Sequence, residues 1–203
     1  MRRASLPSVR SVSSSFTFIS FQQISFIQTS GRQSCRSLIM PAIAKRVLAA
    51  SQKIAEADLA SDGREAAPHV TVKYGLHGDD AEEVRQLLAD EQPIKVTLGK
   101  TSIFAANEAT AQRGGEQYDV VKAEVLSPDL HRLNKKIADA LPHTDTHPTY
   151  QPHVTLAYVK AGTGAKYAGR ADVAGQSFTI GSLTFSGKNG VKTKALPAGN
   201  KAL

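Results

Sequence analysis

Apolar residues at Ile43, Val47, Ile54 and Leu59, with alanines between them, recur at helical spacing over residues 41–59, and Ser61-Asp62-Gly63 closes the run with turn formers. The pattern predicts a first helix there. It then changes period. Residues 69–74 alternate polar and apolar positions as a half-buried strand does, and Gly78-Asp79-Asp80 next offers a cap to a short helix with Val84, Leu87 and Leu88 on one face, stopped by Pro93. Residues 94–104 and 118–126, rich in Val, Ile, Thr and Phe, predict hairpin partners, the second entered through Gly114-Gly115. Ser127-Pro128-Asp129 starts another helix, lined by Leu130, Leu133, Ile137 and Leu141 and ended by Pro142. A further strand opens at His153, residues 177–185 read as β, and Asn189-Gly190 turns into a last strand over 191–196. This order predicts an α+β fold with largely antiparallel sheet.

The chain has 203 residues, 41% of them hydrophobic, enough for one sizeable core or two small lobes sharing an interface. Its first forty residues read as a different polymer. They are rich in Ser, Arg and Phe (SVSSSFTFISFQQISFIQTSGRQSCRS), hold Arg2, Arg3, Arg10, Arg32 and Arg36, and contain no Asp or Glu. That composition is similar to an organellar presequence, whereas Ser, Thr and Gln interrupt the apolar positions too often for a membrane span or a secretory signal. Residues 1–39 are therefore expected to be a disordered or targeting leader, or to lie upstream of a true start at Met40, and residues 40–203 to be the domain, with SLIMPAIA able to hold the end of a first strand that would bring Ser37 to Met40 into it. A translated leader would suit a mitochondrial protein, a start at Met40 a cytoplasmic one.

The formal charge of +7 changes meaning once it is split by position, because five of those charges sit before Met40, leaving about +2 for the rest. A broad grip on duplex nucleic acid is not expected. Local basic clusters such as Arg132, Lys135 and Lys136 read as solvated faces. The single cysteine, Cys35, allows neither a disulfide framework nor a cysteine-based zinc site within the chain.

Candidate chemistry comes from a repeat. PHVTVKYG, from Pro68 to Gly75, and PHVTLAYV, from Pro152 to Val159, share Pro, His, Val, Thr and Tyr at the same offsets. In a regular strand His69 and Thr71 point one way while Val70 and Val72 point into a core, and His153 and Thr155 stand likewise before Val154 and Leu156. Core packing gives no reason to repeat that set. If the two strands face one cleft, two imidazoles and two hydroxyls converge. A neutral imidazole can take a proton from an attacking oxygen, a protonated one can give a proton to a leaving oxygen, and the hydroxyls can donate to non-bridging phosphate oxygens. No metal or other cofactor is called for. On regular alternation Lys73 shares the histidine face, where it could meet a phosphate, while Tyr74 and Tyr158 face away and pack. Zinc at His143 and His147 is disfavoured by Pro142 and Pro148, which oppose the helix that such spacing needs, and the stretch from Gly181 to Gly187 matches a phosphate-binding loop only superficially.

The paired motifs resemble those of the 2H phosphoesterase superfamily, which includes 2′-5′ RNA ligase-like proteins, cyclic phosphodiesterases and phage anti-CBASS nucleases. GREAAPHVTVKYGLHGDD and YQPHVTLAYVK are most similar to its phage and bacterial branch, over roughly residues 40–197. The resemblance implies a bilobal fold, two pseudo-twofold related lobes of mainly antiparallel sheet with helices outside and a central cleft. It also implies that His69, Thr71, His153 and Thr155 form a metal-independent catalytic set acting on 2′,3′-cyclic phosphates, 2′-5′ linkages or cyclic oligonucleotides. Relatives in this branch begin with a polar strand before the first helix, a pattern that SCRSLIMPAIA matches poorly. The expected activity is a phosphodiesterase working on RNA ends or short RNA-like oligonucleotides as a monomer, with no membrane partner. Ligation by the same chemistry in reverse, and a non-catalytic nucleotide-binding module, are the competing readings.

Overall fold

Val70, Val72, Val154 and Leu156, the positions expected behind the histidines, lie at the centre of the core, each at most 2% exposed. The computed structural model describes residues 33–78, 80–106, 116–145 and 147–187, with the backbone of 192–194. Within them run β1 (Gln33–Leu38), β2 (Leu59–Arg64), β3 (His69–Leu76), β4 (Ile94–Phe104), β5 (Tyr118–Leu126), β6 (His153–Lys160), β7 (Ser177–Ile180), β8 (Thr184–Ser186) and β9 (Lys192–Lys194). The helices are α1 (Pro41–Ser51), α2 (Ala81–Leu87) and α3 (Pro128–Ala140). All strands join one antiparallel sheet in the order β7-β4-β5-β6-β3-β1-β8-β9, with β2 beside β6.

Divided between β6 and β3, this sheet has two four-stranded halves of matching order. In one, β3 is followed outward by β1, β8 and β9; in the other, β6 is followed by β5, β4 and β7. The chain path repeats as well, since β1 leads through α1 to β3 much as β5 leads through α3 to β6. The helices cross over: α1 packs on β6 and α3 on β3. The two-lobed α+β architecture expected from the repeated motif is therefore the one observed. Proline occupies the first turn of both α1 and α3, where its missing N–H has no intrahelical partner to lose. The predicted face of α3 is fully buried at Leu130, Leu133 and Ile137, and Asp80 caps α2 by accepting from the Glu82 N–H at 2.7 Å.

Three expectations change. The first helix ends at Ser51, not Leu59, because Arg64 reaches back to terminate it: its Nε donates to the Ser51 carbonyl at 3.0 Å and its Nη2 to that of Ile54 at 2.6 Å. Ser61-Asp62-Gly63 then falls inside β2. The stretch 177–185 is two strands rather than one, with β7 on β4 and β8 on β1 at opposite ends of the sheet, so the chain must leave one lobe for the other between Ile180 and Thr184. The sheet also begins before Met40, at Gln33, since β1 lies between β3 and β8 with Cys35 fully buried. The turns expected at Gly114-Gly115 and Asn189-Gly190 lie outside the described residues.

Candidate active site

Strands β3 and β6 touch through one antiparallel register pair, Val70 with Val154. One residue to either side of such a pair, His69 stands opposite Thr155 and Thr71 opposite His153, with side chains on one face and Cβ atoms about 5 Å apart. Past these residues the strands part. The edge of β6 is taken up by β2, through Leu59 with Val159 and Arg64 with Ala157. The edge of β3 is taken up by the 143–145 segment, where Leu76 bridges to His143 and the Thr144 N–H donates to the Gly75 carbonyl at 2.9 Å. The strand-to-strand contact between β3 and β6 is thus little more than the two His-Val-Thr triplets, and each triplet completes the other.

The two imidazoles are held the same way. His69 Nδ1 lies 2.9 Å from the Ala67 carbonyl and His153 Nδ1 lies 2.7 Å from that of Gln151. A carbonyl can only accept, so Nδ1 carries the proton in both rings and Nε2 is left for chemistry. Burial pushes the His153 pKa down to about 4, with the positive charges of Lys122, His69 and His147 adding to the effect and the Gln151 carbonyl opposing it. His153 is therefore neutral at physiological pH.

Both motif strands also carry a bulge at the same offset. On β3, Arg36 pairs with Thr71 and Cys35 with Lys73, so Val72 is skipped; on β6, Lys122 pairs with Thr155 and Val121 with Ala157, so Leu156 is skipped. The extra residue reverses the alternation beyond it. Tyr74 and Tyr158, expected to face away, return to the histidine and threonine face, and the Tyr158 hydroxyl meets that of Thr155. Lys73, expected on that face, turns instead with Cys35 to the buried side, where it is 3% exposed and its Nζ lies 2.6 Å from Asp145 Oδ1. The phosphate contact expected of Lys73 is replaced by an ion pair.

Two cations outside the set expected from the sequence occupy the site instead. Arg36 is the cross-strand neighbour of Thr71 and Lys122 that of Thr155, so each hydroxyl has a positive side chain beside it in matching positions of the two lobes. Lys122 is 4% exposed, donates to Ser102 Oγ at 2.7 Å and lies 4.2 Å from the centre of the Phe104 ring. Phe104 in turn meets His153 edge-on at 5.0 Å and stacks on His147 at 6.0 Å. A lysine within the apolar run of Val120-Val121-Lys122-Ala123 was the available signal. Arg36 was hidden by the composition around it.

The remaining candidates do not assemble. His147 stacks on Phe104, whereas His143 bonds the Leu141 carbonyl and lies 3.4 Å from Asp145. Among the described residues no three His, Cys, Asp or Glu side chains cluster as a metal site, and no helix is long and apolar enough to cross a membrane. Arg132 and Lys136 are paired with Glu91, and Lys135 with Asp139, which makes that basic cluster a neutralised face.

A family profile described as the 2′-5′ RNA ligase superfamily matches residues 39–186. No curated protein matches the chain. Among solved structures, it is similar in fold to the TT0787 protein of Thermus thermophilus, with a TM-score of 0.56 and 17% identity over 83% of this chain and 99% of that one. It is also similar to Usb1 of Kluyveromyces marxianus, with a TM-score of 0.53 and 10% identity over 82% of this chain and 98% of that one. A second structure of that Usb1 contains uridine monophosphate and aligns with a TM-score of 0.52.

Proposed function

The chain belongs to the 2′-5′ RNA ligase superfamily of 2H phosphoesterases, and on that premise we propose that it is a metal-independent phosphodiesterase acting on 2′,3′-cyclic phosphates or on 2′-5′ or 3′-5′ linkages in short RNA-like oligonucleotides. One observation carries the reading: two imidazoles, each tethered through Nδ1 to the carbonyl two residues back, stand on one face of two paired strands, each opposite the other strand's threonine. The uridine monophosphate held by the Kluyveromyces marxianus Usb1 supports a nucleotide-sized ligand.

We assign the roles from the environment of His153. His153, kept neutral by burial and by neighbouring positive charge, is the general base: its Nε2 takes the proton of the attacking water as the water oxygen bonds to phosphorus. His69 is the general acid and returns a proton to the departing ribose oxygen, so the proton count closes. Thr71 and Thr155 donate to the non-bridging oxygens, and Lys122, the cross-strand neighbour of Thr155, balances the charge that builds on them. With a 5′-hydroxyl in place of water, the same groups would join two ends, which is the ligase direction.

The test is turnover by the full chain in excess EDTA on a panel of 2′,3′-cyclic nucleotides, 2′-5′ oligoadenylates and cyclic oligonucleotides, with products resolved by mass. Turnover that disappears in His153→Ala is the expected result. A folded wild-type protein that binds these ligands but converts none of them, alone or with 5′-hydroxyl ends present, would leave a nucleotide-binding module.

A further inference from the structure

The two lobes place a cation beside each threonine, but they leave the two cations in different states. Lys122 is already engaged, with Ser102 Oγ and the Phe104 ring. Arg36, half-buried in β1, forms no ion pair among the described residues, whereas Arg64, also set in a strand, is paired with Glu56. What surrounds Arg36 is hydroxylic. It pairs across the sheet with Thr184 on one side and Thr71 on the other, and Ser34, two residues away on the same face, pairs with Ser186. The Oγ of Ser186 is buried and has no hydrogen-bond partner among the described residues.

A guanidinium that has hydroxyls on both flanks and no ion pair among the described residues is matched by an anion that offers several acceptor oxygens, two of them to the guanidinium fork at once, as a phosphate does. The site lies one strand spacing, about 4.8 Å, outward from Thr71. That is beside the reacting phosphate. We propose that Arg36, with Thr184, Ser34 and Ser186, forms a subsite for the phosphate flanking the one that reacts, so that the protein prefers a ligand with at least two phosphates over a cyclic mononucleotide. The subsite belongs to the His69 lobe alone, because the matching cation in the other lobe is taken. It rests on the phosphodiesterase reading above for the position of the reacting phosphate.

Steady-state kinetics of the full chain on two probes test this. One is adenosine 2′,3′-cyclic phosphate, with a single phosphate; the other is the ApA dinucleotide ending in a 2′,3′-cyclic phosphate, which adds an internucleotide phosphate. Wild type should show the lower KM for the dinucleotide. Arg36→Ala should raise that KM about tenfold or more and remove the preference, with Arg36→Lys in between. An equal rise for both probes would place Arg36 on the reacting phosphate and overturn the subsite, as would an unchanged KM ratio. If Arg36→Ala does not fold, Arg36→Gln and Thr184→Val give the same readout.

If wild type converts neither probe, the phosphodiesterase reading fails separately, and calorimetric binding of ApA 3′-phosphate decides the subsite. Affinity about tenfold weaker in Arg36→Ala, with the salt dependence of log Kd shallower by about one, supports it. Equal affinity overturns it.

Discussion

The low pKa of His153 carries an expectation for the pH dependence of both activity and stability. Because kcat/KM reports the free enzyme, its acid limb is expected near pH 4 rather than at the ordinary histidine value of about 6.5. Lys122→Met removes a positive charge that depresses this pKa, so the limb should move to higher pH in that variant; a limb that stays in place would show that Lys122 does not act on His153. The stability effect has the matching sign. Above about pH 6.5 the ring is neutral whether the chain is folded or not, but below that the unfolded chain takes up the proton first, so stability falls as pH drops toward 4, where the folded ring protonates as well. Thermal melts of wild type and His153→Gln between pH 7 and 4 should therefore diverge, with wild type losing more. Either His69→Ala or His153→Ala should lower kcat by 10²-fold or more while the melting temperature at pH 7 shifts little.

At the scale of the elements, the repeated motif was readable and its bulges were not. His69, Thr71, His153 and Thr155 stand out because an unexplained pairing of polar residues recurs at fixed offsets, and the residues up to Thr71 and Thr155 do follow simple alternation. Nothing in Val72-Lys73 or Leu156-Ala157 marks a skipped residue, since the bulge is a property of the partner strand's register as much as of its own sequence. Tyr74 and Lys73 were consequently assigned to the wrong faces. The part of β1 before Ser37 escaped for a different reason: a strand of six residues without turn signals, next to a Ser- and Arg-rich segment, carries too short a pattern to outweigh composition. Its place in the sheet makes a clear prediction. A chain beginning at Met40 lacks the strand that joins β3 to β8, leaving each with an open edge, and should fail to give the cooperative melt expected of a chain that begins at Arg32. Gly75 offers a narrower check. Its φ is +80°, and a Cβ there would sit 2.1 Å from the Thr144 carbonyl oxygen. Gly75→Ala should cost roughly 2 kcal/mol or more in a urea titration.

Across the whole molecule, the crossing of α1 onto β6 and of α3 onto β3 ties each lobe's core to the other's helix. A single unfolding transition is expected despite the narrow strand contact, with fluorescence and circular dichroism traces that coincide; two separated transitions would mean that the lobes are independent. The same connectivity orders events during synthesis. The strands of the His153 lobe, β4 to β7, are contiguous between Ile94 and Ile180, so this half has all its partners once they have left the ribosome. The His69 lobe is split, because β1 waits for β8 and the pairing of Arg36 with Thr184 spans most of the chain. The half that is translated first is therefore the half that closes last, and the pocket stays unassembled until the final stretch of the message has been read.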